Sequence, residues 1–374
     1  MAEVDDDALP ASVKLVDCLP DLDNLLNRHI SSARWDGITG EELVEYIFDL
    51  FGDAPNIDAP IETWIKSNLP KATPGTPGKQ FQADPKKTKY RNTLKAGSNS
   101  MASIILCNRI LMGGDKVGHF FQLGYRIYHR KKGNNPTHTR EVIEDQSIAA
   151  WRAYKNYEFG KISDAILDGG ARIIARKTGV TSPPKFVQTQ WNHGKEMGSF
   201  GIRATGVYSP ADIAANNAGA RFYTDLAKLK GGKISLARYI DRTWNESVNC
   251  NKYAANVGTR VWENLLLHRN WVLQMDTASH DRKVHANCTF LKKANTFEAA
   301  LSILGKPPEG SLTLSPVYKK DAKGLIEGIT LSGPWSYKGE SGLMTIKSSR
   351  ECWIKGTWGT GQSNQNGGDC LLFM

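Results

Sequence analysis

Along residues 1–70 the apolar positions fall at helical spacing. In "LPDLDNLLNRHI", Leu22, Leu25, Leu26 and Ile30 lie three and four apart. "TGEELVEYIFDLFGD" opens after Thr39, a helix-capping residue type, and ends near Gly52. This stretch is expected to form a helical N-terminal region. Residues 71–91 follow with many Pro, Gly and Lys and no periodic apolar face, which predicts a linker or long surface loop. From 92 to 304 the pattern is again mostly helical, as in "DKVGHFFQLGYRIYHR", "SPADIAANNAGARFYTDLAKL" and "NKYAANVGTRVWENLLLHRNWVL". After "LGKPPEGS" short β-favouring runs separated by glycine take over, predicting an antiparallel β domain over 305–374. The expected class is α+β multidomain: a mainly α-helical core with a small C-terminal antiparallel β domain.

A chain of 374 residues exceeds one ordinary domain of ~100–200 residues, and 40% hydrophobic with 23% charged residues is a folding composition. The longest apolar run, "MASIILCNRILMGG", is broken by Asn108 and Arg109 and falls short of the ~20 residues that span a bilayer. The opening "MAEVDDDALPASVKLVDCLP" lacks the basic and then apolar run of a Sec signal. These features predict a protein that is soluble or at most peripheral to a membrane, cytoplasmic in its producer and exported, if at all, by a Sec-independent route. The net charge of +10 favours an anionic neighbour. Its basic runs "DPKKTKYR" and "YHRKKG" carry no zinc-finger, RNP or helix-turn-helix pattern, which argues against nucleic acid. The six cysteines are scattered without a CxxC pair, so no structural zinc site of the usual kind is expected. Reduced thiols are expected in the producer, with Cys352 and Cys370 able to bridge after export.

Chemistry concentrates in two predicted helices. In one opening at Asp115, His119 lies four residues on and so shares its face, with Arg126 farther along. In the other, Ser209, Pro210 and Asp212 have the spacing of a capped helix start, and Asn216 joins the face of Asp212. Ala211, Ala214, Ala215, Ala218 and Gly219 would let a second helix approach closely. Asp115, His119, Asp212 and Asn216 are therefore expected to converge, with Glu196 on the loop ahead of the second helix and Lys116, Arg126 and Ser209 as binding groups beside them. Such a set suits general acid/base work with His119 tuned by Asp115 or Asp212. It equally suits a divalent metal held by His119 and the carboxylates of Asp115, Glu196 and Asp212. The plainest alternative is a buried hydrogen-bond network in which Asp115 and Asp212 only cap their helices.

No HExxH, GxSxG, Walker A or GxGxxG pattern is present, so no particular cofactor is called for. Cys288 near His280 and His285 is a weak hydrolase pattern, because closeness in sequence does not make a triad. In the predicted β domain "SGPWSYKGESG" and "KGTWGTGQSNQNGG" read as two hairpins of one sheet. Trp335, Trp353 and Trp358 would bind glycan if exposed, whereas aromatic residues alternating in a short strand more often fill a core.

The order DKxGHFF, an acidic residue, then TGVxSxADxxANxxGxxFY resembles a group of uncharacterised bacterial proteins. It is more distantly similar to the VanZ-like and predicted-lipoprotein families, which share DKxxH followed by DxxAN. The matching residues are Asp115, Lys116, Gly118, His119, Glu196, Gly206, Val207, Ser209, Asp212, Asn216 and Gly219, and "RYIDRTWNESVNCNKY" continues with a WNExxN element. The resemblance spans about 113–262 and implies a site but no reaction. Two functions are expected to compete. One is an envelope-directed bacterial protein, an effector or toxin of hydrolase or transferase type, acting on a phosphorylated or lipid-linked envelope molecule, with peripheral membrane contact and a cognate inhibitor protein as implied partners. The other is a non-enzymatic protein that binds glycan or a partner through the β domain.

Overall fold

The computed structural model describes residues 4–5, 8–53, 59–93, 101–131, 201–202, 205–269, 271–276, 283–302, 307–348, 353–363 and 368–373. The chain divides into two compact units, residues 1–83 with 95–249 and residues 84–94 with 250–374. The first unit holds helices α1 (Leu19–Trp35), α2 (Gly40–Phe51), α3 (Pro60–Asn68), α4 (Asp115–Lys131) and α5 (Pro210–Ala227). Beside them lie the antiparallel strands β1 (Gln80–Phe81), β2 (Ile104–Cys107) and β3 (Ile110–Gly113), while β4 (Val207–Tyr208) leads into α5.

The helix starts follow from local chemistry. Pro20 stands in the first turn of α1, whose leading amide, Leu19 N, donates to Asp17 Oδ1 at 2.9 Å. In α3, Pro60 opens the helix and Glu62 folds back to accept from the Ala59 amide at 3.3 Å. Ser209 caps α5 by accepting from Asp212 N at 3.2 Å, with Pro210 at the first helical position. The interrupted apolar run around Asn108 and Arg109 is the β2–β3 hairpin: both residues have positive φ, 52° and 63°, as a two-residue turn between twisted strands requires. Asp17 fixes that turn by accepting from both turn amides, at 3.1 and 2.8 Å.

The core of this unit is aromatic. Phe120 meets Phe121, Phe222, Tyr239 and Trp244 at centroid distances of 4.9–5.9 Å, and Tyr125 stacks on Phe48. Helices α4 and α5 cross with almost no space between them: a Cβ on Gly219 would lie 1.9 Å from the Phe120 carbonyl oxygen. Ala211, Ala215 and Ala218 are buried along the same helix, and Ala214 packs partly buried against the core. No helix among the described residues is long and apolar enough to cross a membrane.

The second unit overturns the expectation of a mainly α-helical core with a small β domain. It contains β5 (Lys252–Tyr253), α6 (Ala255–His268) and eight long strands: β6 (Trp271–Asp276), β7 (Lys283–Lys293), β8 (Thr296–Ser302), β9 (Gly310–Lys320), β10 (Ile326–Tyr337), β11 (Glu340–Ser348), β12 (Trp353–Thr360) and β13 (Gly368–Phe373). Each pairs antiparallel with the next, and β13 pairs with β6, so the sheet closes on itself as an up-and-down barrel. The strands begin at Trp271, well inside the span expected to be helical, and "LGKPPEGS" joins β8 to β9 rather than separating domains. Closure also removes the free edges that an open sheet would expose.

Alternation governs the barrel wall. Cys288 and Phe290 are buried while His285, Asn287, Thr289 and Leu291 are exposed, so every second residue of β7 faces the interior. Phe297, Ala299 and Leu301 do the same on β8, as do Leu312 and Leu314 on β9. The two glycine-tryptophan stretches are the β10–β11 hairpin, turned at Lys338 and Gly339 with positive φ, and the β12–β13 pair. Residues 71–83 belong to the first unit and 84–94 to the second, so the segment read as a linker is shared between them. In the first, Lys79 pairs with Asp21 at 2.6 Å; in the second, Asn264 Nδ2 donates to the Lys89 and Arg91 carbonyls.

Candidate functional site

The first turn of α4 delivers three polar groups into the interior of the first unit. Asp115, Lys116 and His119 are 2%, 0% and 1% exposed. Two glycines make this possible. A Cβ on Gly113 would lie 2.0 Å from Asp115 Oδ1, and one on Gly118 would lie 1.9 Å from Glu62 Oε1. Glycine at 118 therefore admits the buried carboxylate of Glu62 from α3 against the α4 backbone.

The centre is the Lys116 ammonium. Its Nζ lies 2.7 Å from Asp115 Oδ2, 2.7 Å from Asp212 Oδ1 and 2.7 Å from Glu246 Oε1. The first and third are aligned hydrogen bonds, while the approach to Asp212 is an ion pair without hydrogen-bond alignment. Glu246 arrives from a segment set by its neighbours: Trp244 packs on Phe120, and Asn245 Nδ2 donates to the Leu111 carbonyl of β3 at 2.7 Å. His119 lies between two residues of α5. Its Nδ1 is 3.1 Å from Asn216 Oδ1 and its Nε2 is 3.1 Å from Asp212 Oδ2. With the amide oxygen of Asn216 toward the ring, Nδ1 must be the donor.

Three carboxylates on one ammonium make the cluster electrostatically uneven. Burial raises the Asp115 carboxyl above its usual range, and the charge of Asp212 adds to this against the pull of Lys116 and His119. Burial also acts to raise Asp212, but His119 and Lys116 outweigh it and hold that carboxyl low.

The structure thus brings Asp115, Lys116, His119, Asp212 and Asn216 together. Ser209 is the buried cap that sets the start of α5. Arg126 is buried on α4, but three turns from Asp115 means roughly 16 Å along the axis. Glu196 lies outside the described residues. Glu246 and Glu62 were not singled out from sequence. The WNExxN element held the signal for the first, and a glycine inside a helix held it for the second. Trp335 and Trp358 are each 3% exposed and meet edge-to-face at 5.2 Å inside the barrel unit, so neither ring offers a surface platform; Trp353 is on β12. Cys288 faces the barrel interior, where burial pushes its thiol up to about 12, while His285 points outward to Gln274. That pair makes no nucleophile and base.

No family model, curated protein or solved structure matches the chain.

Proposed function

We propose that the chain is an envelope-directed bacterial protein whose first unit carries a hydrolytic or group-transfer site built on Asp115, Lys116, His119, Asp212 and Glu246. The observation that carries this reading is the placement of His119, buried with one ring nitrogen 3.1 Å from Asn216 Oδ1 and the other 3.1 Å from Asp212 Oδ2. A buried imidazole beside carboxylates serves either to move a proton or to hold a cation. The net charge of +10 supports an anionic substrate such as a phosphorylated or lipid-linked envelope molecule. A toxic activity of this kind would call for a cognate inhibitor protein in the producer.

Burial of the cluster favours a second reading, in which the same side chains lock α4, α5 and the Glu246 segment together and the protein binds a partner without catalysis. The interior position of Trp335 and Trp358 removes those rings from any glycan-binding version of it. Directing the protein to the periplasm of a test bacterium separates the two. Toxicity lost from His119→Ala and Asp212→Asn, counted per folded molecule by circular dichroism, supports the enzyme. Toxicity that persists in folded variants refutes it, and a loss that only tracks the unfolded fraction supports the structural reading.

A further inference from the structure

We propose that Asp115, His119 and Asp212 bind one divalent transition-metal ion, of the Mn²⁺ or Zn²⁺ class. One ligand atom from each of these three buried residues lies within 4.8 Å of the others. The inference deepens the proposed function by naming what the same site holds, and its test uses no activity.

The pointer is a pair of buried atoms that stand close without an aligned hydrogen bond. Nδ1 of His119 faces Asn216 Oδ1 at 3.1 Å, and Nε2 stands 3.1 Å from Asp212 Oδ2 with no aligned hydrogen bond between them. A cation lying off the line that joins Nε2 and Oδ2 would be ligated by both. Ligands about 2.1 Å from a metal and at right angles to one another stand about 3.0 Å apart, close to the observed spacing. A second acceptor, Asp115 Oδ1, is buried and also lacks a hydrogen-bond donor.

The outer atoms are already placed as a metal's supporting groups would be. Asp115 Oδ2 and Asp212 Oδ1 rest on Lys116, and Nδ1 of His119 rests on Asn216, which holds each ligand by its far side. One imidazole with carboxylate oxygens suits Mn²⁺ or Zn²⁺ better than the thiolate-seeking metals.

The full chain, stripped with EDTA and dialysed, is titrated with MnCl₂ and separately with ZnCl₂. Expected are about one ion per chain by elemental analysis after desalting and a rise in Tm of roughly 5–10 °C at a hundredfold excess over Kd. His119→Gln should lose both, whereas Lys79→Met, at a half-buried ion pair away from the cluster, should keep them. Should His119→Gln not fold, pulsed EPR of the wild-type Mn²⁺ complex replaces it, with nitrogen modulation from one imidazole expected. Sub-stoichiometric metal with an unmoved Tm overturns the proposal, as does a bound ion that shows no nitrogen ligand. Metal bound at full occupancy by a protein without envelope activity would sink the proposed function and leave this site standing.

Discussion

Replacing Lys116 by Met tests whether the ammonium organises the cluster. Methionine keeps the unbranched stem and volume but leaves Asp115, Asp212 and Glu246 with no shared cation. The gross attraction at 2.7 Å is about 6 kcal/mol per contact at an effective dielectric near 20, much of it offset by the cost of burying the charges. Removing one partner from a buried ionic set costs about 3–5 kcal/mol, and the loss of three contacts at once places this case at the upper end. For a unit of about 150–250 residues each kcal/mol moves Tm by roughly 2–4 °C, so a fall of roughly 10–20 °C is expected.

The measurement is thermal and urea unfolding in EDTA, followed by circular dichroism, with Lys79→Met as control. That control breaks an ion pair whose partners are 28% and 29% exposed and should cost about 0–1 kcal/mol. Adding Glu246→Gln to Lys116→Met should recover part of the loss, because it removes one of the surplus negative charges. A Lys116→Met protein that melts within about 2 °C of wild type, against the roughly 10–20 °C expected here, would refute the reasoning. So would strictly additive losses in the double variant, since the two side chains touch.

Three further outcomes are expected. Gly219→Ala should destabilise the first unit by about 1–3 kcal/mol in urea titrations, since its methyl would lie 1.9 Å from the Phe120 carbonyl oxygen; an unchanged midpoint would mean that α4 and α5 cross less closely. Trp335→Ala should cost about 3–5 kcal/mol in the barrel unit, read as a lowered unfolding midpoint, because the ring is 3% exposed and packs on Trp358. In the same unit Lys252 pairs with the carboxyls of Asp321 and Glu327, and both titrate below their ordinary values of 3.8 and 4.5: Lys252 outweighs burial at Asp321, while Lys319 and then Lys252 lower Glu327. Depressed carboxyls lend stability that is fully present above about pH 5 and is lost as pH falls through the lowered native values. Lys252→Met should therefore flatten the fall of Tm between about pH 5 and pH 2, and an unchanged slope would remove this pair from the acid response.

What the sequence revealed depended on whether each residue's reason for being there was local. Asp115 with His119, and Asp212 with Asn216, stand four apart on helices that start with strong local signals, so their sharing of a face was legible. Their meeting followed from the small residues of α5. Glu246 joins Lys116 across 130 positions of chain, and no local pattern encodes such a contact. Gly118 carried a trace of Glu62, because glycine inside a helix costs about 1 kcal/mol relative to alanine and needs a reason. The first barrel strands failed for another cause. Their inward positions include Ala286, Cys288 and Ala299, and "TFEAALS" is rich in good helix formers, so tertiary closure overrode local preference.

The imbalance of charge bears on which reading of the site is physically economical. A network whose sole task is to join helices gains nothing from surplus carboxylates, because well-packed apolar residues of similar volume often stabilise as much or more than a buried ion set. Here Lys116 is met by three carboxylates, and the imidazole beside them has one ring nitrogen facing an amide and the other facing an acid. Helix joining is already supplied nearby by Phe120 against Phe222 and by the close crossing at Gly219. The residues that spend stability are thus separable from those that provide it. Gathering three carboxylates on one buried ammonium is a costly way to join helices, and that cost is the physical ground for proposing that the cluster binds a cation or moves a proton.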